Sequence, residues 1–324
     1  MDVRRLRLLL ELSHRGTITA VADALAYTPS AVSQQLAALE REAGVPLLEH
    51  LGRRVALTPA GTILARYAES VVAVLEEASA ALAATRDRLA GPLRIGAFPT
   101  AARTLLPPAL VTLGRDHPAL ELMVTELDPV AVPDALRTGA LDVALTFAYD
   151  YVPAQPDPAL DIEPLLAEAV YLATVDPARA SIGDWHDSPW IAGSPGTLCH
   201  IMTVRACEAS GFRPRIRHYA DDFATVLALV AAGQGVSLIP RLGATNVPSG
   251  VVLTPMAFRR RTRIAYRKGT RGHPVVSAFT DAIRASLAEE PDSAATLDTT
   301  AAGTVAGSPE GGGGWGASIP TLSG

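Results

Sequence analysis

The chain has 324 residues, 48% of them hydrophobic, with 28 Lys and Arg against 33 Asp and Glu and a formal net charge of −5. That length predicts about two or three domains, and that composition excludes wholesale disorder. The acidic balance excludes a coat of positive charge, so any nucleic-acid site must be local.

The opening MDVRRLRLLLELSHRG sets basic residues before leucines, but Glu11 interrupts the apolar run and no small-residue cleavage site follows. No secretory leader is expected. Nothing approaches the roughly 18 uninterrupted apolar residues of a membrane span, so a cytoplasmic chain without a membrane partner is expected. Val3, Leu6, Leu9, Leu10 and Leu12 recur at helical spacing and predict a first helix ending at His14-Arg15-Gly16. A short second helix is expected over 17–26. Thr28 then supplies an N-cap and Pro29 a first helical residue whose missing N–H costs nothing. This third helix, about 29–41, turns Val32, Leu36 and Leu39 inward and Ser30, Ser33, Gln34 and Ala37 outward. A short helix, a tight turn and a helix with exposed hydroxyls and amides form a helix-turn-helix pattern. Gln hydrogen-bonds an adenine edge bidentately and Ser donates or accepts, so the face suits a major groove. Strands over 45–50 and 55–58 around Leu51-Gly52-Arg53-Arg54 predict a winged hairpin. Its two guanidinium groups suit phosphates or the narrow minor groove.

TITAVADALAYTPSAVSQQLAALEREAGVPLL followed by GRRVALTPAG resembles the DNA-binding region of LysR-type transcriptional regulators, over nearly all of residues 1–65. The resemblance implies that Pro29, Ser30, Ser33 and Gln34 face the groove and that Arg53 and Arg54 sit on the wing; Thr28, at the helix start, is a further DNA-binding candidate. Two residues depart from the family pattern: Gln34 and His50 stand where many members carry Arg. Residues 1–59 hold seven Arg against six Asp and Glu, a net +1. Modest non-specific affinity and reliance on DNA shape and dimer geometry are therefore expected.

Thr58-Pro59 repeats the cap-plus-proline start. Leu64, Ala68, Val71, Leu75, Ala78, Leu82, Thr85 and Leu89 then alternate steps of four and three, a heptad seam. A dimerising linker helix is expected over 60–89, as the resemblance also implies. The dimer would read two half-sites of an interrupted inverted repeat.

From Gly91 short apolar strands alternate with helical stretches, the pattern of βαβ units. Strands are expected at 93–98, 120–126, 141–147, 170–175, 215–219, 236–239 and 263–267. Helices are expected at 99–115, 130–138, 196–210, 222–232 and 274–287. The fold class is thus an N-terminal winged helix-turn-helix, all-α apart from its wing, a long linker helix and a two-lobed α/β effector-binding domain. The domains fall at 1–59, 60–89 and 90–288, with lobe 1 at about 90–163 and 266–288 and lobe 2 at about 164–265. Small, polar, Gly-rich residues 289–324 are expected to be a disordered tail. The layout of 90–288, with VAAGQGVSLIP at 230–240, resembles the effector domain of the same regulators, which is similar to periplasmic solute-binding proteins.

Ligands in such sheets sit at strand C-termini and helix N-termini. Thr100 and Ala101 at one helix start, with Arg103 in reach, and Thr197 at another are therefore candidate effector contacts. Thr146 and Phe147 at a strand end, and Asp222 and Phe223 at a third helix start, complete the set. Arg259-Arg260-Arg261 with Arg263, Arg267, Lys268 and Arg271 reads as a solvated strand edge. Effector identity stays open, with a small carboxylate or an amino acid as candidates.

Cys199 and Cys207 cannot form a disulfide framework. Peroxide-sensing members of the family switch through two cysteines in this part of the second lobe, but the spacing here departs from theirs by one residue. Eight residues of helix rise about 12 Å, too far for a bridge without unfolding. No Gly-x-Ser-x-Gly elbow, phosphate-binding P-loop or His-Glu-x-x-His motif occurs, and no His pair has metal spacing. The sequence therefore predicts neither an enzyme nor a cofactor or metal. It predicts a transcriptional regulator whose partners are double-stranded DNA, a small-molecule effector and further copies of itself as homodimer or homotetramer. RNA polymerase is a candidate partner. The alternatives are a redox-sensing regulator acting through Cys199 and Cys207, and a solute-binding protein that does not touch DNA.

Overall fold

The computed structural model describes residues 1–51, 54–152 and 156–288. The tail expected over 289–324 lies outside the described residues, as does Arg53.

Helices α1 (Val3–Arg15), α2 (Ile18–Leu25) and α3 (Pro29–Ala43) open the chain. Each starts on a side-chain cap: Asp2 accepts from the Arg4 N–H at 2.8 Å, Thr17 from Ala20 at 3.2 Å and Thr28 from Ala31 at 3.2 Å. Leu6, Leu9 and Leu12 of α1 meet Val21, Ala22, Val32, Leu36 and Leu39 in one core. The wing pairs β1 (Leu48–Leu51) with β2 (Arg54–Leu57) antiparallel. Its first strand starts later than expected. The Glu40 carboxylate accepts the Leu47 and Leu48 N–H groups at 2.9 and 3.1 Å, taking up donors at the entry to the ladder.

Helix α4 (Pro59–Ala83) begins on Thr58, whose hydroxyl accepts from the Gly61 N–H at 3.0 Å. The helix stops short of the expected 89, so Thr85 and Leu89 lie beyond it. The Thr85 hydroxyl bonds the Leu82 carbonyl at 2.8 Å. A Thr side chain competing for backbone in this way favours helix ends over interiors.

The α/β region runs β3 (Gly91–Ala97), α5 (Pro99–Thr104), α6 (Leu106–Asp116), β4 (Leu120–Glu126), α7 (Val132–Arg137), β5 (Val143–Tyr149) and β6 (Leu160–Thr174). It continues with β7 (Pro189–Ala192), α8 (Leu198–Ala209), β8 (Arg215–Tyr219), α9 (Phe223–Ala231), β9 (Ser237–Pro240), β10 (Val252–Arg267) and α10 (Pro274–Ala288). The helix expected over 99–115 is two helices that meet at Leu105. Pro107 and Pro108 follow and lack the N–H donors that would continue one ladder across the junction.

Strand order in the main sheet is β4-β3-β5-β10-β6-β9, and β7 pairs with β8 separately. Only the ends of β6 and β10 are evident in the sequence pattern, at 170–175 and 263–267. In full they run side by side from Val252↔Thr174 to Arg267↔Leu160, with a register shift between Pro255 and Arg259. Residues 260–266 of β10 also pair with β5. The strand has therefore entered the first lobe by Arg260, and the border expected near 265 lies earlier. These paired strands are the crossing between two lobes.

The helical region sits on the first lobe. Arg15 pairs with Glu11 at 2.8 Å and reaches Asp134 at the start of α7. Arg7 pairs with Glu76 of α4 at 3.2 Å, and Arg267 approaches Glu76 at 3.8 Å. Gly269, at φ +87°, passes against the Ala73 backbone of α4, where a Cβ would meet the Ala73 carbonyl. Gly269→Ala should therefore cost about 1–3 kcal/mol, by positive-φ strain and a broken seat. Urea unfolding of the full chain measures this, and faster proteolysis after α4 should accompany it.

Candidate nucleic-acid interface and effector cleft

Helix α3 divides as its spacing demands. Val32, Leu36 and Leu39 are buried, while Thr28, Pro29, Ser30, Ser33, Gln34 and Ala37 are exposed. The Thr28 hydroxyl is occupied locally, capping Ala31 and lying 3.1 Å from the Ser30 hydroxyl. Neighbouring Gln35 is held by the Arg5 Nε–H at 2.9 Å. Ser33 and Gln34 make no hydrogen bond to another described residue, so their polar groups are free for a base edge. Glu40, the first carboxylate along the helix, is turned into the fold by its two backbone donors. Arg54 opens β2.

The expected self-association stripe on α4 splits. Ala68 is buried and Leu64 packs against the helical core. Val71, Leu75, Ala78 and Leu82 are exposed, and so are Ile63, Tyr67 and Val74, which the seam had not included. The face available to a second copy is thus rotated from the sequence seam, because α1 takes the first two positions.

Between the lobes lies a cavity of about 310 Å³ lined by Thr100, Arg103, Phe147, Thr197, Asp222 and Phe223. Two candidates do not line it. Ala101 is buried in the first-lobe core, and Thr146 lies outside the lining with its backbone in register with Arg263. The principal residue that sequence reasoning missed is Arg260. The sequence places it on a solvated edge, but β10 is central in the sheet and Arg260 is 1% exposed. Phe258, Arg260, Thr262 and Ile264 are all buried, a period-two signal that was legible in MAFRRRTRI.

Arg260 donates through Nε to Glu168 Oε1 at 2.6 Å and through Nη2 to the Thr100 hydroxyl at 3.0 Å. Its guanidinium lies 4.8 Å from the Phe98 ring centre and 5.0 Å from that of Phe147. Glu168 Oε2 accepts the Leu242 N–H at 2.7 Å. Burial works against the Arg260 charge, but the Glu168 carboxylate, with Tyr149 and Cys199 adding to it, holds the pKa above its usual value.

Thr197 plays a capping role. Its hydroxyl accepts from the His200 N–H at 3.3 Å and donates to the Ser194 carbonyl at 2.8 Å. Asp222 caps α9, accepting from the Thr225 N–H at 2.9 Å, and that bond leads in holding its carboxyl below the usual range. Arg103 lies 3.8 Å from it. Asp128, Asp221, Glu126, Cys199 and Thr203 also line the cavity. Asp128 accepts the Val130 N–H at 2.9 Å. Burial first, and the Asp221 carboxylate second among the upward causes, raise its carboxyl. The Ser194 N–H and hydroxyl hold Asp221 at 2.8 and 2.5 Å. The Cys199 sulfur is 3.5 Å from the Tyr149 hydroxyl, and burial raises its thiol. Burial pushes the Cys207 thiol up to about 12. Both cysteines are therefore poor thiolates at neutral pH, and both lie in the unbroken helix α8.

Residues 3–62 match the bacterial regulatory helix-turn-helix protein, lysR family, and residues 86–288 match the LysR substrate binding domain. A probable hydrogen peroxide-inducible genes activator of Mycobacterium leprae is 31% identical over 272 residues, covering 82% of this chain and 88% of that protein. The HTH-type transcriptional activator IlvY of Salmonella typhimurium is 26% identical over 290 residues, covering 86% and 98%. Among solved structures, a cysteine mutant of OxyR from Corynebacterium glutamicum superposes with a TM-score of 0.53 at 26% identity, covering 89% of this chain and 92% of that one.

Glu168→Ala would leave Arg260 buried and unpaired, and should cost about 3–5 kcal/mol in urea unfolding. Replacing the pair together, Arg260→Met with Glu168→Leu, should recover most of that loss, since no buried charge is then left alone.

Proposed function

The chain belongs to the LysR family of DNA-binding transcriptional regulators, and from that premise we propose how it reads DNA and how it is switched. Ser30, Ser33 and Gln34 of α3 enter the major groove, Thr28 and Pro29 set the helix start, and Arg53 and Arg54 follow the backbone or minor groove from the wing. The exposed apolar stripe of α4 joins two copies, as a dimer or as the unit of a tetramer. The pair reads half-sites about one helical turn apart. A small molecule bound between the lobes shifts the balance of lobe arrangements by binding one of them better. RNA polymerase meets the protein at the promoter, where the altered DNA geometry is read.

The observation that carries the DNA reading is the pair Ser33 and Gln34, exposed without partners among the described residues on a helix that buries Val32, Leu36 and Leu39. Catalysis has no part in this proposal, and the relatives are themselves transcriptional regulators. No helix among the described residues is long and apolar enough to cross a membrane. With DNA as its target, the chain is proposed to work in the cytoplasm. A solute-binding protein without DNA contact is not favoured, given the helix-turn-helix match. A Cys199–Cys207 switch is not proposed either, given both raised thiols.

Nuclease footprinting on the DNA upstream of the protein's own gene tests the reading: protection of an interrupted inverted repeat is expected. Gln34→Ala should lose about 1–3 kcal/mol of preference at one base pair if that base is read directly. Titration of matched and single-mismatch duplexes measures it, and unchanged preference would remove Gln34 from the groove. Leu75→Glu places charge on the exposed stripe and should yield monomers in analytical ultracentrifugation that protect neither half-site.

A further inference from the structure

The charges lining the inter-lobe cavity do not balance. Its charged residues are Arg103, Glu126, Asp128, Asp221, Asp222 and Arg260. Both cations are matched: Glu168 lies 2.6 Å from Arg260, and Asp222 lies 3.8 Å from Arg103. Glu126, Asp128 and Asp221 remain. Asp128 is held by a backbone N–H and Asp221 by Ser194. None of the three has an ion-pair partner among the described residues. Asp128 precedes α7 in the first lobe, and Asp221 precedes α9 in the second. Both line the same cavity, one from each lobe.

At the floor, Arg260 is 1% exposed, and its bonds use Nε and Nη2. Nη1 has no hydrogen-bond partner among the described residues, although Arg260 lines the cavity. Nη1 is not among the fully buried polar atoms that lack a partner, so it is open to the cavity and available to an acceptor there. The cavity thus offers surplus negative charge from both lobes and one donor beneath, flanked by the Phe98 and Phe147 rings. No group of three or more His, Cys, Asp or Glu side chains able to hold a metal ion occurs among the described residues.

We propose that the effector is a small organic cation, an amine carrying an oxygen acceptor at its other end, with the ammonium between Asp128 and Asp221 and the oxygen on Arg260. The inference rests on the reading of the cleft as the effector site and narrows its ligand: small dicarboxylates are excluded by like-charge repulsion. It also supplies the switch. In the empty cleft Asp128 and Asp221 repel one another across the lobe border. An ammonium between them turns that repulsion into two attractions, so the closed arrangement binds it better.

Calorimetry on the full-length protein with a matched panel tests this, using L-lysine, L-lysinamide, L-norleucine and glutarate at millimolar concentration. Lysine and lysinamide are expected to bind, norleucine to bind at least about tenfold more weakly, as loss of one partly buried charge contact implies, and glutarate not to bind. Asp128→Asn keeps an oxygen to cap Val130 and should weaken lysine by about the same factor. Exposed Glu126→Gln provides a second charge variant that leaves packing alone. Unliganded melting curves report that each variant folds.

Equal or tighter binding of glutarate or norleucine overturns the cationic class, and so does the absence of binding by both amines. If such a compound without net positive charge loses binding in the Arg260→Met, Glu168→Leu protein, the cleft reading stands without the charge assignment. If lysine binds equally to the wild type, to Asp128→Asn and to that paired variant, it binds outside the cleft and both readings fall.

Discussion

The two lobes meet on one buried ion pair. Taking Arg260 and Glu168 out of water costs several kcal/mol per ion, so the pair persists only because its remaining hydrogen-bonding capacity is largely met. Thr100 accepts from Arg260, and the Leu242 N–H donates to Glu168. Thr100 belongs to the first lobe, Leu242 to the second, and the pair sits on the two strands that cross between them. The charge pair thereby specifies how β6 and β10 stand at the crossing. Because the two charges cancel, the field inside the cavity is set by its rim instead, where the carboxylates are.

The same strand that floors the cavity also reaches the helical region. From Arg260 to Arg267, β10 advances at about 3.3 Å per residue without leaving the sheet. Arg267 donates to the Leu136 and Leu141 carbonyls at 3.2 and 3.0 Å and approaches Glu76 of α4 at 3.8 Å. Asp134, at the other side of α7, holds Arg15 of α1. β10 thus links the cleft to α1 and α4 through side chains in contact. Surface ion pairs of this kind are individually worth little, so they suit a joint that must re-form rather than one that must never break.

Much of the helical region was legible because its signals are local. Caps at Thr28 and Thr58 and the inward set Val32, Leu36 and Leu39 depend on neighbours within one or two turns. The lobes were legible as alternating strands and helices, and most of the cleft threonines and aromatics followed from where strands end. The long crossing strands were not. Pro164 and Pro255 interrupt their patterns, and whether a strand is central or an edge depends on partners far along the chain. For that reason the local sequence points to a solvated Arg260. Asp128 and Asp221 escaped for the same reason: they come from opposite lobes, and only the fold brings them together.

The weak charge of the reading head and the proposed self-association of α4 act together. A net +1 over residues 1–59 gives little of the phosphate attraction that supplies most non-specific binding. One head alone would therefore hold DNA briefly. Tethering two heads makes the second contact intramolecular, at an effective concentration set by the linker, and overall affinity then exceeds that of either head without any new phosphate contact. Specificity benefits more than grip does, because only a site with both half-sites correctly spaced gains the second contact. A charge-poor, hydroxyl- and amide-faced helix is thus suited to a regulator whose geometry, under control of the lobes, decides which spacing it can span.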